Sequence, residues 1–208
     1  MTTLLHVSAS PRGVASESLA LASVFLDAYR EVHPEVRVET LDLWQAGLPV
    51  FGPVGASAKM VAFGGGTPGG ELAAVWAQAQ ALADQFTAAD AYLLSVPMWN
   101  AGVPYVLKQW IDIITQPGMV FGFDPAAGYS GLVHGKKAAT IYTSGVYSPG
   151  APIQFGADFH ASFVSDWLRF VGVTDVTEIR FQPTILTASP DEDRAAAHAA
   201  AREAGKTF

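Results

Sequence analysis

The chain has 208 residues, of which 50% are hydrophobic and 15% charged, where an average soluble domain has about 25% charged. Twelve Lys and Arg against nineteen Asp and Glu leave a net charge of −7, and there is no cysteine. This excludes disulfide frameworks, cysteine-ligated metals and thiol catalysis, and argues against a nucleic-acid backbone as partner, which needs a basic face.

Residues 4–8 form a short apolar run, read as a first strand. The break Ser8-Ala9-Ser10-Pro11-Arg12-Gly13 follows, and then residues 16–32 carry Leu19, Ala22, Phe25 and Tyr29 at helical spacing, with Ser16 or Ser18 as cap. Residues 36–43 alternate as a second strand. Residues 44–70 hold Pro49, Pro53, Pro68 and Gly64-Gly65-Gly66, and read as an irregular excursion. A helix is expected over 72–88. A nearly all-apolar strand at 91–97 has the pattern of a strand buried on both faces, as in a parallel sheet.

Residues 103–115 are helical in period, and Phe121 and Phe123 flank a short extended piece. A fourth strand at 137–143, a helix over 157–171, a fifth strand at 176–181 and an Ala-rich helix over 190–203 complete the order. Alternation of strand and helix implies a parallel sheet with helices on both faces. The length suits one domain over 1–208. The N-terminus lacks the basic region of a signal peptide, and no apolar stretch reaches membrane-spanning length, so the expected location is cytoplasmic, with no membrane partner.

In such a sheet, ligands bind outside the carboxyl ends of the strands. Three loops qualify. The first, 8–18, brings Ser10, Ser16 and Ser18 to a helix start, whose free N–H groups and positive dipole end favour a phosphate. The same serines would also serve as ordinary caps. The second, 97–104, presents Trp99 to a flat ligand, and the third, 143–150, has Gly145, which lets a ligand approach the backbone. There is no G-x-G-x-x-G fingerprint. Gly205-Lys206-Thr207 mimics the end of a P-loop, but Ala200 stands where its first Gly belongs. The five histidines lack metal-ligand spacing, so no metal is expected. His160 alone sits where a side chain could approach a substrate, although a packed histidine is the commoner case. Phe121, Phe123, Phe159, Phe163 and Trp167 are candidates for core, or for a surface shared with a second copy.

Ser10 with Ser16-Glu17-Ser18, Pro97-Met98-Trp99-Asn100, and Gly131-Leu132-Val133-His134-Gly135-Lys136-Lys137 together resemble the FMN-dependent NADH azoreductases, a family that includes NAD(P)H:quinone reductases. The resemblance spans nearly the whole chain. It implies an α/β flavodoxin-like three-layer sandwich with five parallel strands in the order 2-1-3-4-5. It further implies FMN, NADH or NADPH as electron donor, a quinone or azo substrate, and a homodimer with the flavin at its interface. Carried over by position, Ser10, Ser16, Glu17 and Ser18 match the phosphate loop. Pro97, Met98, Trp99, Asn100 and Ala101 match the loop beside the isoalloxazine. Ser144, Gly145, Val146 and Tyr147 match a loop at the pyrimidine edge that often reads Ser-Arg-Gly-Gly, so 145–147 depart from the pattern. Two-electron ping-pong hydride transfer through flavin N5 is then expected, with the Asn100 backbone N–H near N5 and no side-chain nucleophile. The alternative is a flavodoxin-like electron carrier serving a protein partner, which the low charge disfavours.

Overall fold

The computed structural model describes residues 2–208. Five strands, β1 (Thr3–Ser8), β2 (Arg37–Asp42), β3 (Ala91–Pro97), β6 (Lys137–Thr143) and β7 (Asp175–Phe181), form a parallel sheet in the order β2-β1-β3-β6-β7. Leaving aside the small two-stranded sheet of β4 (Phe121–Asp124) and β5 (Gly128–Gly131), this is the 2-1-3-4-5 order expected.

The period of two in the central strands divides the core. Leu4 and Leu93 face α1 (Glu17–Val32) and α6 (Pro190–Thr207), where they meet Leu21, Phe25, Ala197 and Ala201. Leu5, Tyr92, Leu94 and Val96 face the opposite layer, α3 (Glu71–Ala88), α4 (Tyr105–Ile114) and α5 (Ala161–Val171), around Phe86, Trp110 and Trp167. The six residues from Ala91 to Val96 are all buried, because β3 is the middle strand with helices on both faces.

Residues 44–70 are not wholly irregular. They contain α2 (Pro53–Phe63), which Pro53 opens at a position where its missing N–H costs nothing and Gly64 closes. The Pro that looked like a breaker is a starter. The piece expected near Phe121 is a two-stranded hairpin. Helix α5 begins at Ala161 rather than 157, because the Asp158 carboxylate accepts from the N–H groups of His160 (3.2 Å) and Ala161 (2.7 Å) and sets the start. Helix α6 runs on to Thr207, so Gly205-Lys206-Thr207 is its last turn. A Cβ at Gly205 would lie 2.4 Å from the Phe25 carbonyl oxygen; this glycine is required for α6 to approach α1.

Candidate active site

The carboxyl ends of β1, β3, β6 and β7 share one edge of the sheet. Their loops enclose a cleft of about 170 Å³ lined by Ser10, Arg12, Ser16, Glu17, Pro97, Met98, Trp99, Thr143, Ser144, Gly145, Thr184 and Ile185. Eight of the residues singled out in the sequence line it. Ser18, Asn100, Ala101, Val146 and Tyr147 do not, and each has a definable place beside it.

At the β1 end, Ser16 caps α1: its Oγ accepts from Leu19 N–H at 3.3 Å and lies 3.1 Å from Ser18 Oγ. Ser18 is fully buried behind Ser16 and supports it. Glu17 would put negative charge beside an incoming anion, but Arg194 of α6 grips it, with Nη2 at 2.9 Å and Nε at 3.2 Å from Oε1. The guanidinium offsets that charge. Ser10 is buried at the cleft wall, and Arg12 stands exposed at its rim.

At the β3 end, Met98 N–H donates to the Thr143 carbonyl at 2.7 Å, joining the second loop to β6. Trp99 and Gly102 exchange two backbone hydrogen bonds of 2.9 Å around Asn100 (φ 49°) and Ala101 (φ 66°). Two positive φ values inside a two-residue hairpin define a type I′ turn, for which Asn-Gly is the favoured pair. Ala101 is therefore strained, by about 1 kcal/mol. The turn leaves the N–H groups of Asn100 and Ala101 without a backbone partner.

The β6 loop is fixed from outside. Thr184 N–H donates to the Ser144 carbonyl (2.8 Å), and Ile185 and Leu186 N–H both donate to the Gly145 carbonyl (2.9 and 3.0 Å). Ser144 Oγ donates to the Tyr147 carbonyl at 2.5 Å. The carbonyls are thus consumed by the loop after β7, while the N–H groups of Gly145 and Val146 make no backbone hydrogen bond. A Cβ at Gly145 would meet Ile185 Cδ1 at 3.1 Å.

Thr143 opens the third loop as expected, whereas Thr184 and Ile185 were not foreseen. The rule of strand ends applies to β7 as well, and the Gln182-Pro183-Thr184 break after it was the available signal. His160 does not reach the cleft. It is fully buried, and its Nε2–H donates to the Val96 carbonyl at 2.8 Å. Burial lowers its pKa, which keeps the ring neutral. Burial alone would raise the Asp158 carboxyl, but the Ala161 N–H and the Arg180 guanidinium (3.0 Å) outweigh it and hold it below its ordinary value. This group is tied to the end of β3 through the Val96 carbonyl.

Beyond the Trp99–Gly102 turn lies a larger groove of about 570 Å³, lined mainly by Phe51, Tyr105, Lys108, Phe159 and Phe163. Of the aromatics proposed as core, Phe121 and Trp167 are buried, Phe163 is half-buried, and Phe123 and Phe159 are exposed.

Residues 2–206 match the family model described as flavodoxin-like fold. A protein named FMN-dependent NADH:quinone oxidoreductase from Ruegeria pomeroyi is 48% identical over 199 residues, covering 95% of this chain and 98% of that one. This chain belongs to that family. A similarly named protein from Burkholderia lata is 38% identical across 100% of both chains. Among solved structures, an azoreductase from Bacillus anthracis superimposes with a TM-score of 0.89 at 29% identity, covering 100% of each chain. As a member of this family the chain is an enzyme, an oxidoreductase. A further Bacillus anthracis structure, titled an FMN-dependent NADH-azoreductase in complex with FMN, has a TM-score of 0.86 at 22% identity and bears on the fold.

The family segment 131–137 has a structural reason. A Cβ at Gly131 would lie 2.3 Å from Gly172 N and Val171 C, and Val133 N–H donates to the Val171 carbonyl at 2.9 Å. This stretch docks the hairpin onto the end of α5, away from the cleft.

Proposed function

We propose that the chain is one flavodoxin-like FMN-binding domain over residues 1–208 that reduces quinones and azo compounds with NADH or NADPH, acting in the cytoplasm as a homodimer. The observation that carries this is the donor set gathered at one sheet edge. A capped helix start with two serine hydroxyls suits a phosphate, Trp99 offers a flat face, and unpaired backbone N–H groups lie on two adjacent loops. The enclosed cleft is small for a whole cofactor, since ligand pockets usually exceed about 300 Å³. It would hold the phosphate and sugar end, with Trp99 flanking the ring.

Bound there, FMN would supply two-electron hydride transfer at N5, serving donor and acceptor in turn by a ping-pong cycle. The protein binds, orients and polarises. Ser10, Ser16 and the first turn of α1 would hold the phosphate, with Ser18 behind them. Pro97, Met98 and Trp99 would flank the ring and the Asn100 N–H would be available to N5, with Ala101 completing the turn. The N–H groups of Gly145 and Val146, with Ser144 and Tyr147 bracing the loop, would stabilise negative charge at the pyrimidine edge.

The exposed groove beside the site, with Tyr105 and Phe159 more than half exposed, supports burial against a second copy. The test is the visible spectrum of the purified protein followed by NADH oxidation with a small quinone. A yellow protein that turns over is expected. A colourless protein that refuses added FMN would refute the reading.

A further inference from the structure

Trp44 lies just past the end of β2 and touches both halves of the candidate site. Its Nε1–H donates to the Ala9 carbonyl at 3.0 Å, one residue before Ser10. Its ring centroid lies 5.6 Å from that of Trp99 and 5.2 Å from that of Tyr105, and Tyr105 stands 6.2 Å from Trp99. Its own position is fixed: the Trp44 backbone N–H donates to Asp42 Oδ1 at 3.0 Å, and Leu43 N–H to the Ser8 carbonyl at 3.0 Å. The half-buried indole therefore ties the first loop to the second with two chemically separate contacts, a hydrogen bond and a ring packing.

We propose that Trp44 is a positioning residue that holds the phosphate loop through its N–H and the Trp99 face through its ring. The proposal rests on the FMN reading above. Ala9 is fully buried, and its own N–H donates to the Ser95 carbonyl at 3.0 Å. Its carbonyl anchored to Trp44 fixes the peptide that leads into Ser10. Trp99 is partly exposed and sits on a strained turn, so it needs a neighbour to define its tilt. The edges of Trp44 and Tyr105 supply one.

The two contacts separate by substitution. Trp44→Phe keeps a ring against Trp99 and removes the N–H; Trp44→Leu removes both. Flavin affinities are measured by fluorescence titration with FMN and with riboflavin, which lacks the phosphate, alongside the melting temperature of each variant. With Trp44→Phe, FMN affinity is expected to fall roughly three- to tenfold while riboflavin affinity holds, as for the loss of one hydrogen bond that organises the phosphate loop. With Trp44→Leu, both affinities fall. If Trp44→Phe weakens both ligands by the same factor, or neither, the proposal is overturned. If the unsubstituted protein binds neither flavin, the cofactor reading fails first and the proposal with it.

Discussion

Replacing His6 with glutamine should flatten the acid limb of the stability curve. His6 sits in β1 at 6% exposure, with Nε2 2.8 Å from Ser95 Oγ. Burial pushes its pKa from 6.5 down to about 4, against a weaker upward pull from Asp42. The sign follows from proton counting. Below its ordinary pKa the unfolded chain binds a proton at His6 that the folded chain refuses. The folded state is therefore fully favoured above about pH 6.5, and loses stability as pH falls toward 4. The slope reaches about 1.4 kcal/mol per pH unit, so roughly 2 kcal/mol is lost between pH 7 and pH 5 through this residue alone. Glutamine retains a hydrogen-bonding group without the titration. Urea unfolding at pH 7, 6 and 5 reads the difference, and carboxylates and the other histidines cancel because both proteins carry them. His6→Gln should lose about 2 kcal/mol less than the parent over that range. Parallel losses would refute the argument that His6 is held neutral by burial.

Gly131→Ala should destabilise by several kcal/mol, seen as a lower urea midpoint, because its Cβ would run into the backbone of Val171 and Gly172. Ser16→Ala should cost about 1 kcal/mol of stability through the lost cap. It should also weaken FMN more than riboflavin, measured by the same titrations. Ala101→Gly should raise stability by up to about 1 kcal/mol in thermal melts, since glycine adopts a φ of 66° without penalty.

The sheet was legible because its strands obey simple rules: 91–97 reads as a doubly covered strand, and it is the central one. Helix α2 was hidden because small residues and flanking glycines and prolines resemble loop chemistry, and only Gly55 and Ala58 are buried. In the site, the serines and Trp99 carried their own signal. The I′ turn did not, because Asn-Ala does not announce positive φ as Asn-Gly does. Thr184 and Trp44 were missed for a different reason. Their contributions come from loops after β7 and β2, and which loop leans over which depends on strand order and tilt rather than on local pattern. Likewise Glu17 reads as an acid near a phosphate site until α6 brings Arg194 beside it, across 177 positions of chain.

Four of the five tryptophans divide into an optical reporter with two channels, the half-buried Trp76 of α3 belonging to neither. Trp110 and Trp167 lie buried 5.6 Å apart in the core, so their emission should be blue-shifted and should change when the chain unfolds. Trp44 and Trp99 are in contact at the mouth of the cleft, and Trp99 is partly in water. Their redder emission should respond to whatever occupies the cleft while the core pair stays constant. Occupancy and folding can then be followed separately in one unlabelled sample.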